Sequence, residues 1–76
     1  MDAQFVNIAG YRFAALNDRE ELREPFRKIC KELDLLGTIL LSPEGINFFL
    51  SGTQDAIDGF VDFLEKDERF IDIPLK

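Results

Sequence analysis

Residues 37–52 read Gly-Thr-Ile-Leu-Leu-Ser-Pro-Glu-Gly-Ile-Asn-Phe-Phe-Leu-Ser-Gly. Two apolar runs, Thr38–Leu41 and Ile46–Leu50, flank a Pro43-Glu44-Gly45 turn, and a glycine closes each end. β-Branched and large apolar residues suit a pleated, half-buried surface. Pro43 presets φ at a turn position, and Gly45 tolerates a positive one. The stretch therefore predicts a β-hairpin that supplies the antiparallel core of the domain.

Upstream, Gln4–Ala14 is rich in aromatic and aliphatic residues and lacks a helix cap, so it predicts a strand. Phe5, Asn7, Ala9, Tyr11 and Phe13 share one face; Val6, Ile8, Gly10 and Arg12 share the other. Both faces are largely apolar, which suits a central strand. Asn17 or Asp18 is a helix N-cap, with Glu20 and Glu21 in the first turn. Leu22, Phe26, Ile29, Cys30 and Leu33 then follow one helical face. Pro25 interrupts that pattern at a cost of about 3 kcal/mol. A kink is expected, or a main helix that begins near Pro25, with Gly37 as its stop. After the hairpin, Thr53 caps a second helix whose apolar stripe is Ile57, Phe60, Val61 and Leu64, widened by Ala56 and Phe63. Phe70–Ile73 is a last short strand candidate.

The resulting order, β-α-β-β-α-β, predicts an α+β sandwich of the ferredoxin-like type. Its antiparallel sheet carries both helices on one face, and its last strand is short or incomplete at Lys76. A right-handed crossover places the first strand beside the third and the last beside the first. The other face of the sheet is left uncovered, where such folds meet partners.

Length allows one small domain, residues 1–76. A hydrophobic fraction of 46% with eight Phe is ample for a core. One cysteine and no histidine exclude an internal disulfide and a zinc site, which favours a reducing, cytoplasmic setting. No segment is long and apolar enough to span a membrane, and no secretion signal is visible. The net charge of −6 argues against nucleic-acid binding by bulk electrostatics. The charge is uneven: residues 1–50 carry eight acids and six bases, residues 51–76 seven acids and three bases. A local basic face on the first half is therefore compatible with the acidic total.

Candidate chemistry is sparse. Cys30 has no histidine to act as its base and lies on the apolar side of the first helix, where a thiol is made less acidic; it reads as core. Glu44 with Asn47 is either a binding pair at the hairpin or a solvated turn residue beside an amide that bonds the turn. Arg19, Arg23, Arg27 and Lys31 are spaced by four along one helical stripe that suits phosphates or an acidic neighbouring domain. Interleaved acids make a merely solvated face the alternative. Phe49 and Tyr11 suit either base stacking on the open sheet face or a domain interface. Acylphosphate hydrolysis needs a glycine-rich anion loop after the first strand and an asparagine on the second. Here the loop is Ala14-Ala15-Leu16-Asn17, and Leu40 and Leu41 stand where the asparagine is wanted.

Three segments together resemble one family over essentially all 76 residues: Tyr11–Leu16, then Gly37–Asn47, then Ser51-Gly52-Thr53 before an amphipathic helix. The chain is similar to the N-terminal, acylphosphatase-like domain of the bacterial rhodanese-containing tRNA uridine hydroxylases. Glu44-Gly45-Ile46-Asn47 is the specific part of the likeness. The resemblance implies a longer parent that hydroxylates the wobble uridine of certain tRNAs with oxygen, with a downstream rhodanese domain bearing the reactive cysteine. Cys30 matches no catalytic position, so the domain is expected to be inactive alone and to need neither cofactor nor metal. Its expected partners are the parent's rhodanese domain and tRNA, with no membrane. Arg12, Arg19, Arg23 and Arg27 are then expected to contact phosphates, while Glu44 and Asn47 shape the hairpin beside the partner domain. The alternative is a purely structural domain that packs on the rhodanese domain through an apolar patch around Phe49. The resemblance also implies a further basic strand segment past Lys76, before the rhodanese domain.

Overall fold

The computed structural model describes residues 5–76. Strand β1 (Phe5–Phe13) is followed by helix α1 (Arg19–Glu32), the hairpin β2 (Leu36–Ser42) and β3 (Gly45–Thr53), helix α2 (Gln54–Glu65) and a 3-10 turn at Glu68–Phe70. The sheet is antiparallel in the order β1-β3-β2, with both helices packed on one face, a ferredoxin-like α+β arrangement. Gln4, the expected start of β1, lies outside the described residues.

The hairpin forms as its pattern dictates. Ser42 faces Gly45 across a Pro43-Glu44 loop, and the Ser42 hydroxyl accepts from the Glu44 N–H and donates to the Gly45 carbonyl, both at 3.3 Å. Gly45 is required: a Cβ there would sit 2.1 Å from the Arg12 carbonyl oxygen. Alternation then turns Ile46, Phe48 and Leu50 toward the helices, where all three are buried.

Helix α2 begins where expected, with the Thr53 hydroxyl accepting from Ala56 N–H at 3.1 Å. Ala56, Ile57, Phe60 and Leu64 are buried against the sheet, while Asp55, Asp58, Asp62 and Glu65 face solvent. Helix α1 contributes Phe26, which meets Phe60, Phe63 and Phe70 edge-on at centroid distances of 6.4, 5.1 and 6.2 Å. Such aromatic pairs are worth about 0.5–1.5 kcal/mol each beyond their buried area.

Three expectations are corrected. Helix α1 does not start at Pro25; it runs from Arg19 through the proline. The carbonyl of Glu21 that loses its partner belongs to an exposed residue, so water satisfies it, and the packing of Phe26 one residue later holds the turn. The helix stops before Gly37. Leu35 N–H bonds the Cys30 carbonyl at 2.8 Å and Asp34 N–H the Lys31 carbonyl at 3.2 Å, a Schellman closure with Asp34 at φ 54°. Gly37 instead lies within β2, at φ 131°, where a Cβ would strike the Phe49 carbonyl.

The third correction concerns Phe70–Ile73, which is not a strand. Asp67 caps the 3-10 turn through its carboxylate and Arg69 N–H at 3.0 Å, and Asp72 sits at φ 59°. That geometry buries Phe70 and Ile73, three residues apart, on the helix side, and Ile73 fills the space beside Gly10. The last part of the segment does reach β1: Ala9 and Lys76 exchange both backbone hydrogen bonds at 3.0 Å, one narrow pair of an antiparallel ladder. In the described sheet it is β3 that is central.

Arg69 fastens the turn to α1. Its guanidinium donates to both oxygens of Asp18 at 2.7 and 3.0 Å and to Asp67 at 2.7 Å, and lies 5.3 Å from the Phe70 ring centroid. Asp18 thus stands at the N-cap, as expected, but turns its carboxylate to Arg69 and makes no side-chain cap. Hydrogen bonds from Arg69 hold the Asp18 and Asp67 carboxyls below their ordinary value of 3.8.

Two outcomes follow for stability. Asp34→Gly relieves a left-handed L-residue and should raise stability by about 0.5–1 kcal/mol, read as a Tm increase of about 2–8 °C. A carboxyl depressed in the folded state contributes stability above its unfolded value and loses it as pH falls through the folded value. Asp18→Asn should therefore lower Tm at pH 7. The deficit should shrink as pH drops below 3.8 and vanish once Asp18 is protonated in the wild-type fold.

Candidate interaction surfaces

Chain alternation sorts the exposed side chains of the sheet onto the face opposite the helices. Cross-strand rows run Asn7–Ser51–Leu36, Ala9–Phe49–Thr38, Tyr11–Asn47–Leu40 and Phe13–Gly45–Ser42. None of these positions carries a charge, in a chain of which 32% is charged. Phe13 is 82% exposed, Phe49 64%, Tyr11 60% and Leu40 59%. Tyr11 and Phe13 lean together at a centroid distance of 5.6 Å. At the hairpin end these rows border a hollow of about 410 Å³ lined by Tyr11, Phe13, Leu40, Asn47 and the turn, with Arg12 and Glu44 at its margin.

The residues singled out from the sequence fall into two separate groups. Asn47 and Phe49 lie on the open face, and Glu44 is exposed at the turn beside it. Asn47 does not bond the turn; Ser42 does. Arg12 closes the helix-facing side of β1, and its guanidinium donates to the Ile71 carbonyl at 2.9 Å. Arg19, Arg23 and Arg27 are on α1, across the sheet from the open face. Arg19 is half-buried, Arg23 and Arg27 are exposed, and Arg27 pairs with Glu24 at 3.0 Å. Leu36, Leu40, Phe13 and Phe5 also lie exposed on the open face and were not anticipated as site residues; period-two alternation along β2 is the signal that joins Leu36 and Leu40.

Two amides of the loop after β1 are taken up within the fold. Ala14 N–H donates to the Glu44 carbonyl at 2.9 Å and Leu16 N–H to the Pro43 carbonyl at 3.1 Å. Both donors are taken by the hairpin turn, and the nearby Arg69 is neutralised by two carboxylates. Cys30 is half-buried, and burial pushes its thiol up from the ordinary value, which makes it a poorer nucleophile. Among the described residues no group of three His, Cys, Asp or Glu side chains is placed to hold a metal, and no helix is long and apolar enough to cross a membrane. Neither described surface gathers a nucleophile, a base and an anion donor.

Comparison with known proteins agrees with this architecture. Residues 5–76 match the model of the UPF0176 acylphosphatase like domain. A tRNA uridine(34) hydroxylase of Cupriavidus pinatubonensis is 55% identical over 73 residues, covering 96% of this chain and 26% of that protein. The protein of the same name from Ralstonia nicotianae is 53% identical over 73 residues, with the same coverage. That of Thiobacillus denitrificans is 54% identical over 71 residues, covering 93% of this chain and 29% of that protein. The chain thus spans about a quarter of the length of these curated relatives. By its fold, and by a match that runs from the first residue of β1 to Lys76, the chain belongs to the UPF0176 acylphosphatase-like domain family.

Proposed function

We propose that this domain is a non-catalytic accessory unit of a tRNA uridine-hydroxylating enzyme. It docks its open sheet face on the rest of the parent chain, a rhodanese domain above all, and so assists the positioning of tRNA for oxygen-dependent hydroxylation of the wobble uridine. The observation that carries this reading is the uncharged, aromatic open face centred on Tyr11 and Phe49. Isolated exposed apolar residues are ordinary on a protein surface, but a contiguous uncharged set marks an interaction site. The relatives are about four times as long as this chain, which supplies a partner for that face. The occupied loop amides and the unreactive thiol support the assignment of chemistry elsewhere in the parent.

Burying one Phe side chain is worth about 1.5–3 kcal/mol, or roughly tenfold or more in a docking equilibrium. In the full parent enzyme, Tyr11→Asp with Phe49→Asp should therefore lower tRNA uridine hydroxylation about tenfold or more, and proteolysis should release the domain more readily. Wild-type hydroxylation and proteolysis by that double variant would contradict the reading. Arg19→Glu with Arg23→Glu in the same parent should leave tRNA affinity within about twofold. A large loss with a reduced salt dependence would instead make these arginines phosphate contacts.

A further inference from the structure

On the helix side of the sheet, α1 and β2 do not close on one another. Between them runs a groove of about 680 Å³ with an aliphatic floor that includes Leu35, Ile39 and Leu41. Its helical wall presents Arg23, Arg27 and Lys31, with Arg27 also bonded to Glu24 at 3.0 Å, and among the described residues no acid lines it. In a molecule of net charge −6 this is a local field of the opposite sign.

The other wall is a free strand edge. Ala9 gives both backbone groups to Lys76, so the Ala9–Phe49 pair makes no hydrogen bonds and Phe49 turns its own toward Thr38 on β2. By alternation, the N–H and C=O groups of Gly37, Ile39 and Leu41 point outward, away from β3. Natural sheets guard such edges with charges, prolines or bulges. β2, Leu-Gly-Thr-Ile-Leu-Leu-Ser, has neither a charged residue nor a proline.

We propose that this groove receives an extended peptide segment of alternating acidic and apolar residues, which adds to β2 as a further strand. The periodicities match. Arg23, Arg27 and Lys31 recur every four residues, about 6 Å along a helix. Side chains on one face of a strand recur about every 6.7 Å. Successive acidic side chains thus meet successive cations, while the intervening apolar ones extend the open face beside Leu36 and Leu40. The main-chain bonds give affinity and the alternating side chains selectivity. A second copy of this chain pairing β2 to β2 would bring two cationic stripes together. An RNA strand would find no exposed aromatic ring in the groove, since Phe26 is 4% exposed, and would meet carbonyl oxygens along the edge.

The test is an amide-shift titration of the 76-residue chain with a blocked eight-residue peptide alternating valine and glutamate. Two comparison ligands are the same peptide with lysine for glutamate and an eight-nucleotide oligouridine. Saturable shifts at Gly37, Ile39 and Leu41 are expected with the glutamate peptide alone. Its affinity should fall about tenfold in Arg23→Glu/Lys31→Glu, whose unliganded spectrum should otherwise match the wild type. Absence of shifts at those three amides overturns the proposal, as does equal binding of the lysine peptide. Oligouridine shifting the same amides overturns it in favour of RNA, and shifts centred on Tyr11 and Phe49 place the contact on the open face instead.

Discussion

Everything in this domain depends on β3 being paired along both edges. Its register against β1 and β2 fixes which side of every strand meets the helices. Ile46, Phe48 and Leu50 form the floor on which Phe60 and Phe26 pack, and Asn47, Phe49 and Ser51 are left on the other side by the same alternation. A register shift of one residue would exchange the two sets, exposing the core and burying polar amides. The open face is thus a direct consequence of the interaction that builds the core.

The same hairpin also ties down the loop after β1. An acylphosphatase-like fold offers an anion site at the loop after β1, but the turn at Pro43-Glu44 accepts the Ala14 and Leu16 amides. What that closure gives is rigidity between β1 and the hairpin. Arg12 and Arg69, the cations nearest the core's end, are bonded within the fold. The fold leaves two distinct surfaces: an uncharged aromatic sheet face on one side, and a cation-lined groove beside a bare strand edge on the other.

Much of this was legible in the sequence because it is local. The hairpin follows from its alternation and turn residues, and α2 from Thr53 and the four-residue recurrence of its stripe. Tyr11, Asn47 and Phe49 were visible as candidates for the same reason. Pro25 misled because its local cost is outweighed by contacts of Phe26 with residues more than thirty positions away. The helix stop at Asp34 was hidden because a left-handed aspartate carries no glycine signal, and Phe70–Ile73 looked like a strand until Asp67 and Asp72 set it into a turn. Leu36, Leu40 and Phe13 were indistinct because both faces of their strands are apolar. The α1–β2 groove exists only once the helix is placed on the sheet.

The central claim is that the open sheet face is covered in the parent enzyme. Hydroxyl-radical footprinting read by mass spectrometry, applied to the 76-residue chain and to the full parent, measures this directly at Tyr11, Phe13 and Phe49. The account predicts strong labelling of all three in the isolated domain and marked protection in the parent, with the exposed Pro25 on α1 labelled alike in both. Equal labelling of Tyr11 and Phe49 in the two proteins would contradict it.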